Sequence, residues 1–463
     1  MAGTPGKFTT GSTMRHVVVM TVTASAGLMF MFLVDFATLF WVGQLGVERY
    51  VAALGYVATV QYFTISVGIG LAIAGTALVS RALGQGDTAK ARNLAMGAMA
   101  LTIIVQGGIS TVVLLARDPL LMLVGAEGET LGYASDFLLI TLPTLALMAV
   151  GMMAGAVLRA SGEAYHAMMV TVLSGATAFV IDPILILNSD VVLGVQLPFV
   201  FGLGWGLDGA AWGMVAARVI MACVGLWYVI RRHNLIARYS AHCLAITVKP
   251  FMLIAGPAIA TQLSTPAGNA ILTAQISQFG DSAVAGWTVI SRLTVLGFGG
   301  IFALSGAIGG IIGQNNGAGL MGRVKSAYRD ALVFCAGYTA VVWALLWVST
   351  PAVIAGFSLT TEGAEVLRAF TGIAAGSFIF TGAIFVANAA FNNLGRPLWS
   401  TGVNWLRDGI LMYPVAVLAV AGFAAPGVVY GQAAASVIVG VIATLIAWRY
   451  IDRISTVPSA TPA

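Results

Sequence analysis

Residues 17–42 read VVVMTVTASAGLMFMFLVDFATLFWV, 26 residues carrying one charge, Asp35. The hydrocarbon core of a bilayer is ~30 Å thick and takes about 20 apolar residues at ~1.5 Å each. The run is longer than the apolar core of a signal peptide, no obvious cleavage site follows it, and further runs of the same kind come after. It therefore predicts a first membrane span and not a removed leader. An acid inside such a span is costly, so Asp35 needs a partner or a task.

The remainder of the chain extends this reading. Of its 463 residues 59% are hydrophobic and only 8% charged, with a mean hydropathy of +0.95. Soluble domains carry about 25% charged residues, so an ordinary soluble protein is excluded. The apolar runs are continuous and do not alternate, which argues against a β-barrel. The 56 glycines fall inside those runs without a G-x-y period, as close helix packing requires. Cys223, Cys243 and Cys335 are scattered and suggest neither disulfide scaffold nor redox or metal spacing. The net charge of +5 comes with no basic patch interleaved with aromatics, so no nucleic-acid partner is expected. No G-x-x-x-x-G-K-[ST] loop, nucleophile constellation or metal cluster is apparent, so neither enzymatic activity, ATP use nor a cofactor is expected. Energy is expected from an ion gradient.

Apolar runs between polar punctuation predict twelve spans: 17–43, 51–80, 94–116, 131–158, 165–187, 209–230, 245–274, 283–312, 327–349, 367–391, 398–421 and 427–449. With the N-terminus inside, 16 of the 22 basic residues fall on the cytoplasmic side. Arg49, Arg117 and Arg368 fall outside, and Arg218, Arg292 and Arg407 lie within spans. The outer loops carry acids, among them Glu48, Asp118, Glu127, Asp190 and Glu362. This asymmetry predicts a multi-pass protein of the plasma membrane, a bacterial inner membrane, with both termini cytoplasmic.

A repeat divides the chain. Leu45-Gly46, Ala53-Leu54-Gly55 and Gly84-Gln85 recur as Phe279-Gly280, Val284-Ala285-Gly286 and Gly313-Gln314, at offsets of 234, 231 and 229. Arg159-Ala160-Ser161-Gly162 aligns with Asn392-Asn393-Leu394-Gly395 at 233, and Pro183 with Pro414 at 231. The expected fold is an all-α polytopic membrane protein of two pseudo-symmetric six-helix lobes. Residues 1–13 form an N-terminal tail, 14–232 the first lobe, 233–244 a linker, 245–453 the second lobe and 454–463 a tail. An even number of spans per copy gives both lobes the same orientation, with a central cavity as the default substrate route.

Two acids carry the functional expectation, Asp35 in span 1 and Asp182 in span 5. Asp35 stands 19 residues beyond His16 and Asp182 stands 18 beyond Ala164, which places both roughly 27–29 Å along their helices. Paired carboxylates in low dielectric repel, and loss of water disfavours their charged forms, so together they form a plausible proton-coupling site. Pro183, beside Asp182, withholds a hydrogen bond from Phe179 and is an expected hinge, as are Pro257 and Pro266 in span 7. Candidate cavity-lining residues are Gln61, Tyr62, Arg218, Gln262, Asn269, Asn388 and Asn392. Asn388 and Asn392 share a helix face and are as readily interhelical glue. Arg407-Asp408 reads as a structural pair, and His166 as an interfacial residue near the cytoplasmic entrance of span 5.

These segments resemble the multidrug and toxic compound extrusion family over about Met14 to Tyr450. The resemblance rests on Val34-Asp35 through Val42-Gly43-Gln44-Leu45-Gly46, on Ala82-Leu83-Gly84-Gln85-Gly86-Asp87 with Ala91-Arg92, on Arg159-Ala160-Ser161-Gly162 and on Asp182-Pro183. It implies a V-shaped pair of lobes exporting small amphipathic, often cationic compounds in exchange for protons or sodium, with no other cofactor. Asp35 and Asp182 match the acids of the DNA-damage-inducible and archaeal subgroup, whereas Ala178 stands where that subgroup favours Asn. Leu263-Ser264-Thr265-Pro266 lacks the span 7 acid of the other large bacterial subgroup. Protons are thus the expected coupling ion, with sodium at the same two acids as the alternative. The expected partners are the substrate and membrane lipids, and the working unit a monomer. A lipid-linked precursor flippase is the rival within transport, and a channel or structural membrane protein the rival class.

Overall fold

The computed structural model describes residues 6–188 and 202–456. Asp190 and residues 457–463 of the expected tail lie outside the described residues. Twelve helices are long and apolar enough to cross a membrane: Thr13–Gly43, Glu48–Gly84, Thr88–Leu115, Gly128–Ala160, Ala164–Ile186, Gly206–Arg232, Ala241–Phe279, Asp281–Gly317, Met321–Gly356, Ala374–Asn393, Pro397–Phe423 and Ala425–Thr456. They are spans 1 to 12 below. Several exceed the ~20 residues a bilayer needs, because helix continues past the apolar run into capped polar turns. Asp87 illustrates this: its side chain accepts from the Lys90 N–H and starts span 3.

Packing follows the repeat. In the first half span 1 lies on 5, 2 on 3 and 4, and 6 on 4 and 5; in the second, 7 lies on 11, 8 on 9 and 10, and 12 on 10 and 11. Between the halves spans 1 and 8 pack like 2 and 7, and 1 and 9 like 3 and 7, around a central crossing of 2 on 8. Glycine makes that crossing close. A Cβ on Gly84 would stand 2.0 Å from the Gln314 carbonyl oxygen, and one on Gly317 2.1 Å from that of Arg81. The lobes therefore meet at backbone distance at the ends of spans 2 and 8. Towards the opposite end the same helices become exposed, at Val51, Tyr62 and Phe63 on span 2 and at Leu296 on span 8. The two lobes close on each other at the end marked by Gly84 and Gly317.

The closed end carries the N-terminal segment. Phe8 is buried there, its N–H donating to Gln314 Oε1 at 2.9 Å. Arg323 donates to the carbonyls of Phe8, Thr10 and Gly11, and Lys7 pairs with Glu163 at 3.1 Å. Residues 7–11 thus strap the second lobe to the first.

Two spans are broken and a third starts later than expected. Span 4 breaks at Leu142–Thr144 around Pro143, and span 10 is preceded by an amphipathic helix, Thr361–Gly372, that ends at Ile373. The expected start at 367 is corrected accordingly. Span 8 breaks at Phe298 (φ −101°, ψ 16°). Tyr338 of span 9 fills this gap, its hydroxyl donating to the Gly297 carbonyl at 2.9 Å and accepting from the Gly300 N–H at 3.3 Å. The helix runs continuously through Pro257 and Pro266 in span 7 and through Pro183 in span 5.

Candidate functional site

Span 5 carries Asp182 into the first lobe, where it is 2% exposed. Thr38 of span 1 donates its hydroxyl to Asp182 Oδ2. The other oxygen, Oδ1, has no hydrogen-bond partner and lies against Gly213 of span 6, where a Cβ would stand 2.0 Å away. Gly209, one turn earlier, is as tight against the Leu185 carbonyl, at 2.4 Å. Gly209 and Gly213 form a G-x-x-x-G face that lets spans 5 and 6 approach closely, and this approach shapes the pocket of the acid.

Asp35 lies one turn before Thr38, exposed and within electrostatic reach of Asp182. At ~100° per residue it sits roughly 130° round the helix from the exposed apolar stripe of Val22, Met29, Leu33, Phe36 and Phe40. Its carboxylate therefore opens on the inside of the bundle. Among the described residues no cation forms an ion pair with either acid. The result is an accessible carboxylate within electrostatic reach of an occluded one.

Most other expected wall residues have different work. Gln61 and Arg218 are buried and meet each other: Arg218 Nη2 donates to Gln61 Oε1 at 3.0 Å, and Nη1 to the Thr141 carbonyl at 2.6 Å and Thr144 Oγ1 at 3.0 Å. Gln61 Nε2 donates to Thr141 Oγ1 at 2.9 Å. The guanidinium thus satisfies a carbonyl at the break in span 4, so both residues belong to a buried network and not to an open wall. Asn388 and Asn392 are also buried, accepting from Asn404 Nδ2 at 3.0 Å and Ser400 Oγ at 3.2 Å; they join spans 10 and 11. Tyr62 and Asn269 are exposed and Gln262 half-buried, so these three remain available to line the space between lobes.

The second lobe holds a counterpart of the acid site. Ser264 of span 7 donates to Asp408 Oδ2 of span 11 at 2.9 Å, from the helix pair equivalent to spans 1 and 5 and with the same sequence separation, 144. Here the charge is cancelled: Arg407 Nε lies 2.6 Å from Asp408 Oδ1 and Nη2 3.0 Å from Oδ2. The lobes share the hydroxyl-to-acid contact and differ in compensation.

At the closed end the Arg159 side chain runs back along span 4 to Gly155, and its Nε faces Gly306 of span 8, with no ion pair among the described residues. Nearby, the fold assembles Glu163, His166 and His233 into one cluster. Spacing concealed it, since His233 is 67 residues from His166. Burial opposes ionisation of Glu163, but the hydrogen bond and charge of Lys7 and the neighbouring histidines outweigh it and hold the carboxyl below its ordinary range. Burial likewise holds the His233 imidazole low, against the pull of Glu163.

The profile of the MatE family matches residues 24–184 and 257–418, one copy in each lobe. The chain belongs to the MatE family. MatE proteins are membrane transporters and not enzymes, and the matched segments run from span 1 to Asp182 and from span 7 through Asp408. Among curated relatives, the chain is 25% identical over 391 residues to the FAD transporter of Shewanella oneidensis, covering 82% of each. It is 21% identical over 422 residues to the multidrug export protein MepA of Staphylococcus saprophyticus, covering 90% of this chain and 89% of that one. A crystal structure of a mutant of the Vibrio cholerae MATE transporter VcmN superposes with a TM-score of 0.87 at 24% identity, over 95% of this chain and 97% of that one. The MatE fold thus accounts for the whole twelve-span frame.

Proposed function

We propose that this secondary active exporter moves small amphipathic, cationic compounds out of the cell in exchange for protons bound at Asp35 and Asp182, with sodium at the same acids as the alternative ion. The observation that carries the reading is the occluded Asp182 carboxylate, held by Thr38, with one oxygen unpartnered and no counter-cation among the described residues. A lone buried carboxylate in a membrane is strongly unfavourable. Protonation removes that cost, so the site switches between neutral and charged forms as Asp35 meets each side's pH. A charged pair attracts a cationic substrate and a neutral pair does not, which makes exchange obligatory. Asp35 and Asp182 of the first lobe are free of an ion pair among the described residues, whereas Asp330 and Asp408 of the second are paired with arginines, which favours the DNA-damage-inducible and archaeal type of coupling. In this reading the closed end is cytoplasmic, carries both termini, and the protein works in the plasma membrane as a monomer of two lobes, 14–232 and 245–453.

A second reading concerns substrate charge. Among the described residues Arg159 has no acidic partner at the closed end, and an unpaired cation there suits an anionic group such as the phosphates of the FAD that the Shewanella relative transports. One experiment separates these readings. The protein is reconstituted in vesicles, pH and sodium gradients are imposed independently, and efflux of a fluorescent cation and of FAD is followed for the intact protein, Asp35→Asn, Asp182→Asn and Arg159→Gln. Proton coupling requires pH-driven flux that both Asp variants abolish; unchanged gradient dependence in both overturns it. Sodium-only drive moves the coupling ion but leaves exchange intact, and FAD flux lost in Arg159→Gln selects the anionic substrate.

A further inference from the structure

We propose that Glu163, His166 and His233 form a binding site for a divalent transition-metal ion of the zinc class, which ties the start of span 5 to the end of span 6. Nothing in the exchange cycle uses these side chains. His166 Nδ1 lies 3.1 Å from His233 Nε2 and 3.3 Å from Glu163 Oε2, and His233 Nε2 lies 4.0 Å from the same oxygen. A tetrahedral ion with bonds of ~2.0–2.1 Å holds its ligand atoms ~3.3 Å apart, so the three already stand close to the edges of such a tetrahedron. Two imidazole nitrogens and one carboxylate oxygen are the ligand types zinc-class ions take.

Hydrogen bonding alone leaves the cluster short. A single N–H on His166 Nδ1 serves either the carboxylate or His233, and a proton on His233 Nε2 pointed at His166 turns a bare lone pair towards the carboxylate. One dication satisfies all three atoms. The other carboxylate oxygen, Oε1, accepts from Lys7 Nζ at 3.1 Å, so the N-terminal strap and the ion use different oxygens. The His166 ring is held in place by Tyr228 and Tyr165, with centroids at 4.7 and 5.5 Å, and by the His233 ring at 4.6 Å. All three side chains are half-buried, with 18–27% of their surface exposed, which leaves an entry path and a fourth position for water.

The test uses the full-length protein in detergent micelles with any affinity tag removed. Zinc binding is measured by calorimetry, and Co²⁺ is added separately to read its visible absorption bands. The expected result is one Zn²⁺ per chain and tetrahedral-type Co²⁺ bands, with affinity falling about 10–100-fold or more in His166→Gln and in His233→Gln. His242→Ala, on a histidine outside the cluster, binds as the intact protein does. Glu163→Gln can keep its bond to Lys7 and serves as the third variant should a histidine change impair folding, which the thermal midpoint in EDTA reports. Unaltered stoichiometry and affinity in the folded His166→Gln and His233→Gln variants, or no zinc bound by the intact protein, overturns the proposal.

Discussion

Gly213→Ala probes the acid pocket without touching a charge. The added Cβ would stand 2.0 Å from Asp182 Oδ1 and 3.2 Å from Cγ. Ordinary van der Waals contact begins near 3.4 Å, so either the carboxylate or the helix pair must move by roughly 1.4 Å, a typical overpacking cost of about 1–3 kcal/mol. If Asp182 rotates, it leaves the Thr38 hydroxyl; if span 6 withdraws, the pocket opens. Either response disturbs the state in which the acid is occluded, and ~1–3 kcal/mol of lost coupling corresponds to roughly 5–150-fold. The assay is pH-driven efflux in vesicles, beside the thermal midpoint of the purified protein. Gly209→Ala is the comparison, because its Cβ meets the Leu185 carbonyl at 2.4 Å and not the acid. It is expected to lower the midpoint while leaving the pH dependence of flux in place. Gly402→Ala, with nothing within 4 Å, is expected to change neither. Wild-type flux and pH dependence in Gly213→Ala refute the claim that spans 5 and 6 clamp the carboxylate.

Further outcomes follow from the same contacts. Thr38→Val removes the only hydrogen bond to the Asp182 carboxylate among the described residues, and is expected to shift the pH at which flux is half-maximal while Thr38→Ser restores it. Tyr338→Phe removes the hydroxyl that bridges the Gly297 carbonyl and the Gly300 N–H at the break in span 8; a loss of about 1–3 kcal/mol is expected in thermal or denaturant unfolding, and an unchanged midpoint would show the break needs no such support. Arg218→Met leaves Gln61 Oε1 without its donor and the Thr141 carbonyl with Thr144 alone and is expected to lower yield and stability sharply, with a transport defect that tracks folded protein. Arg407→Gln leaves Asp408 buried without its cation; destabilisation of about 3–5 kcal/mol is expected, relieved when Asp408→Asn is added.

Much of the architecture was legible in one dimension. Span number follows from the length of apolar runs, and lobe duplication from offsets near 230 residues, since both are local counts along the chain. The acids were visible for the same reason: against 17 Asp and Glu in 463 residues, Asp35 and Asp182 stand out inside apolar runs. Gln61, Arg218, Asn388 and Asn392 stood out equally, and scarcity alone could not tell a chamber wall from a buried network. Polar side chains in lipid need partners in either case, and only the rotation of each helix about its axis selects which partners they meet.

Sequence alone thus determined the twelve spans, their duplication and the depth of the two acids, because hydrophobic length and charge placement act residue by residue. Tertiary structure decided what those acids touch: Thr38 across 144 residues, and Gly213, whose missing Cβ makes the pocket. It also decided the Tyr338 staple at Phe298 and the meeting of His166 with His233. Those contacts depend on crossing angles and ångström-scale approach between helices, quantities that packing sets and no single run of residues contains.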